Sequence, residues 1–161
     1  MTRAVLATRA LEAYGARVVV YHESGHAVGG ALLGIAIRCV WVRDGLGELG
    51  AVVTALRFRE IDTVSLIRFR LAGGVAESRF TGVPPQLTDQ DDEHIESLFA
   101  HARLIERWSH AQVRAAIDRE RRQVERLVFG NWAWVARVAA VLEQRRYMTG
   151  ADVLALRPAV F

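Results

Sequence analysis

The chain of 161 residues has no lysine at all, and its 21 basic side chains are all arginine. Together with abundant Ala and Val, this reads as a compositional bias of the coding genome. The formal net charge of +3 is therefore weak evidence for a nucleic-acid partner. There is one cysteine, Cys39, so an intrachain disulfide is excluded and an oxidising compartment is not required. A Walker A glycine loop is absent, which argues against ATP hydrolysis by these residues. The start of the chain lacks a signal-peptide pattern. Arg3, Arg9, Glu12 and Arg17 are instead spaced among apolar residues as in an amphipathic helix, and the expected location is cytoplasmic.

Apolar residues make up 52% and charged residues 24%, the balance of a globular protein, and residues 1–161 are expected to form a single domain. Val18 to Ile37 is almost wholly apolar and about as long as a membrane span. It also carries His22, Glu23 and His26, which a lone membrane helix would hold at high cost. The segment is therefore expected to be a buried core helix, with no membrane span.

Helical periodicity dominates. Residues 3 to 14 read as a short helix ended by Gly15, and residues 17 to 34 as the main core helix. Arg38 to Val42 and Leu49 to Thr54 read as two strands joined by a turn at Asp44-Gly45-Leu46-Gly47. Helical patterns resume from Arg59 to Phe80, where Gly82-Val83-Pro84-Pro85 breaks them. Further helices are expected at 88 to 108, where Thr88 caps an acidic start, and at 109 to 129. Another stripe carries Val135, Val138, Ala139 and Leu142, and Thr149 with Asp152 forms a capping box for a last short helix. The expected fold is mainly α (α+β): a bundle of about six helices with a small two-stranded β-ribbon. Trp108, Trp132 and Trp134 are expected as core anchors.

The chemistry concentrates at His22-Glu23-Ser24-Gly25-His26, an HExxH motif on a predicted helix. Positions i and i+4 share a helix face, so both imidazoles can reach one ion, and zinc suits nitrogen ligands. Glu23, one residue round from His22, is placed to take a proton from zinc-activated water without ligating. A catalytic zinc needs a third protein ligand. The metzincin extension would put a His at position 32, which is Leu32, so that class fails. The candidates left are Glu48, Glu60, Asp62, Glu77, Asp89, Asp91, Asp92, His94 and His101. The bland reading of the acidic run at 89–92 is a helix start, where carboxylates are favoured anyway.

Several stretches resemble, in order, the peptidase domain of the FtsH-type ATP-dependent zinc metalloproteases. Val20 to Val28 resembles the family's AYHEAGHA helix. Val40 to Val53 resembles its strand, turn and strand, and Leu71-Ala72-Gly73-Gly74-Val75-Ala76-Glu77 its LAGRxAE segment. Phe80-Thr81-Gly82 with Thr88 to Asp92 resembles the stretch bearing an aspartate ligand, and Asn131 to Val153 the closing helices. The resemblance implies a zinc metalloendopeptidase acting on unfolded protein or peptide, with His22, His26 and Asp91 on Zn²⁺ and Glu23 as general base. Asp92 and Asp89 are its alternates for the third ligand, and Glu77 its candidate for orienting a ligand. The family's LAGR arginine is Gly74 here, and the chain lacks the family's ATPase module, so any unfoldase would be a separate protein. Assembly into a homo-oligomer is compatible with this reading.

Two other readings compete with this one. A catalytically weak module of this fold would bind a peptide or partner, although His22, Glu23 and His26 are all intact. A nucleic-acid binder would use Arg114, Arg119, Arg121, Arg122 and Arg126. These interleave with Glu120 and Glu125 as on a solvated helix face, so no nucleic-acid partner is expected. His94, His101 and His110 receive no role as isolated histidines.

Overall fold

A helix that is apolar on every side needs cover on every side, and the HExxH segment receives it. In the computed structural model, which describes residues 3–43, 50–55, 61–84, 97 and 109–159, one helix, α1 (Arg3–Leu32), carries the motif in its second half. Every residue from His22 to Gly30 is buried. Gly15 does not end this helix, contrary to the sequence expectation. Glycine costs a helix interior about 1 kcal/mol relative to alanine, and flanking helix formers with the packed second half outweigh that. The chain leaves α1 at Gly34, whose φ of 75° is the left-handed conformation glycine tolerates.

Strands β1 (Ile37–Val42) and β2 (Gly50–Thr54) form the antiparallel ribbon expected from the sequence. The sheet has a third strand, β3 (Tyr147–Thr149), which pairs antiparallel with β1 and gives the order β2-β1-β3. Three residues are too few to reveal an alternating pattern, so this strand was invisible in the sequence. Val40 and Val42 turn into the core.

Helix α2 (Thr63–Thr81) packs along α1. Their approach is close because α1 presents glycine where α2 presents alanine. A Cβ on Gly25 would stand 2.5 Å from the Ala72 carbonyl oxygen, and one on Gly29 would stand 2.6 Å from the Ala72 Cβ. Asp62 caps α2, its carboxylate accepting from the Ser65 N–H at 2.9 Å. The Ser65 hydrogen bonds hold the Asp62 carboxyl below its ordinary value.

Helices α3 (His110–Gly130), α4 (Trp132–Arg145) and α5 (Gly150–Ala155) complete the described part of a mainly helical α+β fold. Ser109 and Gln112 form a capping box for α3, and Thr149 with Asp152 forms the expected one for α5. Trp134 is the expected anchor: it is buried, and its Nε1–H donates to the Val153 carbonyl at 2.8 Å. Trp132 is partly buried against the core, and Trp108 lies outside the described residues, as does almost all of the helix expected at 88 to 108. No helix among the described residues is long and apolar enough to cross a membrane.

The arginine-rich face of α3 is solvent-facing at Arg114, Arg119, Arg122 and Arg126, but Glu120 breaks the pattern. It is only 4% exposed, and Arg68 of α2 donates to it from Nε at 2.7 Å, with Arg119 Nε at 2.9 Å. Burial pushes its carboxyl up, while the two arginines outweigh that and hold it below the ordinary 4.5. A depressed carboxylate contributes stability that is complete above the unfolded-state pKa and lost as pH falls through the folded one. Glu120→Gln is therefore expected to cost about 1–3 kcal/mol at pH 7, with the deficit shrinking below about pH 4. Urea unfolding of both proteins across that range checks this. A deficit independent of pH would mean that the carboxylate charge is not what links α2 to α3.

Candidate metal centre

The α-helical repeat puts His22 and His26 on one face of α1, and the packing of α2 against that face fixes both rings. His26 Nδ1 lies 2.8 Å from the Phe69 carbonyl. A carbonyl only accepts, so Nδ1–H donates and the lone pair of neutral His26 is on Nε2. His22 Nδ1 lies 3.0 Å from Glu77 Oε2, and the carboxylate accepts in the same way. With the proton on Nδ1, each ring carries its lone pair on Nε2, and partners of these kinds are ones that also orient metal-bound histidines.

The two Nε2 atoms are 3.0 Å apart, and the rings meet edge to face at 77°. With both Nδ1 atoms protonated, neutral rings direct two lone pairs at each other, and that contact needs a shared proton or a cation. Zinc at about 2.0–2.1 Å from each nitrogen in tetrahedral geometry separates the nitrogens by about 3.3 Å, so little adjustment would be required. Two imidazole nitrogens suit a borderline metal such as zinc, and a complete centre requires at least one further protein donor.

His22, Glu23 and His26 are 8, 7 and 6% exposed. Glu23 lies against the start of β2: a Cβ at Gly50 would be 2.5 Å from its Cγ and 3.0 Å from its Cδ. This contact between the motif glutamate and the ribbon was not read from the sequence. Gly50 falls within the second expected strand, Leu49 to Thr54, and nothing in the pattern says which neighbour it admits.

The other candidates separate. Glu77 is on His22, and the neighbouring Arg79 stacks over the Phe129 and Trp132 rings at 4.6 and 5.0 Å. Asp62 is committed to its helix cap. Asp91 and its alternates Asp89 and Asp92 lie outside the described residues, as do Glu48, Glu60, His94 and His101. Among the described residues no group of three or more His, Cys, Asp or Glu side chains is arranged to hold a metal ion. The Phe69 carbonyl was missed by the sequence reading, since a backbone acceptor leaves no trace in residue type. No protein-family model and no curated protein matches the chain.

Proposed function

We propose that this chain is a zinc-dependent metallopeptidase whose His22 and His26 hold the ion through Nε2. The observation that carries the reading is the convergence of two Nε2 atoms at 3.0 Å while Glu77 and the Phe69 carbonyl hold both Nδ1 atoms. By resemblance to the FtsH-type peptidases, Asp91 is assigned the third ligand, with Asp92 and Asp89 as alternates. Bound zinc supplies Lewis-acid polarisation of a carbonyl and lowers the pKa of water to about 7.

The protein groups do the rest. Glu77 and the Phe69 carbonyl keep both imidazoles in the ligating tautomer and orientation. Glu23, buried beside β2, accepts a proton from the attacking water and delivers it to the leaving amine. Burial excludes bulk water and strengthens each electrostatic contact at the reacting centre. β2 is the outer strand of the described sheet, so an extended peptide pairing with it would run past Glu23. That placement supports an unfolded polypeptide as substrate.

The test is hydrolysis of casein by the purified chain, alone and beside a panel of unfoldases. Activity that a chelator abolishes and added zinc restores is expected. Casein cleavage that persists in chelator would remove zinc from the reaction.

A further inference from the structure

Two buried imidazoles can converge only if the facing helix gives them room, and α2 does so at one residue. A Cβ at Gly73 would fall 2.7 Å from His22 Nε2 and from His26 Cδ2, and closer still to His26 Nε2. Real Cβ atoms essentially never approach other atoms below 3.0 Å. Both nitrogens that would face the ion thus lie against one bare Cα. Neither ring can yield easily, because Glu77 and the Phe69 carbonyl fix the far nitrogen of each.

We infer that Gly73 is a positioning residue of the metal centre, its missing side chain being what lets His22 and His26 present Nε2 to one ion. The inference rests on the zinc reading above but adds a steric claim that can be measured without metal. An alanine at 73 would push both rings off their Nδ1 partners or displace α2 from α1. Either motion spoils the bidentate grip, and loss of outer support of this kind typically weakens metal binding by about 10–100-fold.

Co²⁺ is the probe, titrated into the full chain and read by its visible absorption, with the melting temperature taken on metal-free samples. The matched control is Gly29→Ala, which crowds the same helix interface against the Ala72 Cβ and does not face the imidazoles. Gly73→Ala is expected to weaken Co²⁺ binding by at least about tenfold, and Gly29→Ala to change it by less than about threefold. Co²⁺ binding by Gly73→Ala within about threefold of the parent would overturn the inference.

If Gly73→Ala is too unstable to titrate, the metal-free melting temperature decides. The drop caused by Gly73→Ala should be smaller in a His26→Ala background than in the parent, because the nearest clashing ring is gone. An equal drop in both backgrounds would show that the glycine serves helix packing alone. A parent chain that binds no Co²⁺ would count against the zinc reading, while the melting comparison would still judge the steric claim.

Discussion

Glu23→Gln is expected to lower the rate of peptide-bond hydrolysis by about 10²–10⁴-fold while leaving bound zinc unchanged. The amide keeps the size and burial of the side chain, so the packing against β2 at Gly50 survives. It cannot take up the proton that the attacking water must lose. Glu23 is not assigned as a ligand, so the His22–His26 pair retains its grip. The loss should fall on kcat rather than on KM, since proton transfer develops in the transition state and not in substrate binding. Turnover of casein and zinc content measured on the same preparations check this. Unchanged turnover, or zinc lost together with activity, would give Glu23 a different role.

How much of this was legible in the sequence differs by element. His22, Glu23 and His26 were readable because a helical repeat and a donor chemistry coincide over five residues. β1 was readable from alternation around Val40 and Val42, and β2 as the stretch that follows the turn signal at Asp44 to Gly47. β3 was not, because Tyr147 to Thr149 is too short to carry a period and is held by pairing with residues more than a hundred positions away. Gly15 misled because propensity is a weak prior that packing overrides. Glu120 misled because its charge pattern matches a solvated face, and Arg119 with Arg68 reaching over from α2 makes its burial tolerable. At the site, Glu77 was visible as a residue type and its partner was not. The Phe69 carbonyl and the space at Gly73 depend wholly on how α2 lies against α1.

Zinc is expected to stabilise the folded chain, and simultaneous His22→Ala and His26→Ala substitution is expected to abolish that effect. An ion that binds only the native state at about 100 times its Kd adds about 2.7 kcal/mol. For a chain of this size that is a rise of about 5–11 °C in melting temperature. The gain requires both imidazoles, because each supplies one of the two nitrogen donors that converge at 3.0 Å. Chelation should return the parent to the melting temperature it has without metal and leave the double variant unmoved. Elemental analysis of the purified parent beside the double variant addresses the centre most directly. About one zinc per parent chain and almost none in the variant is the predicted result. Zinc absent from the parent under saturating metal, or retained at full stoichiometry without the two histidines, would contradict it.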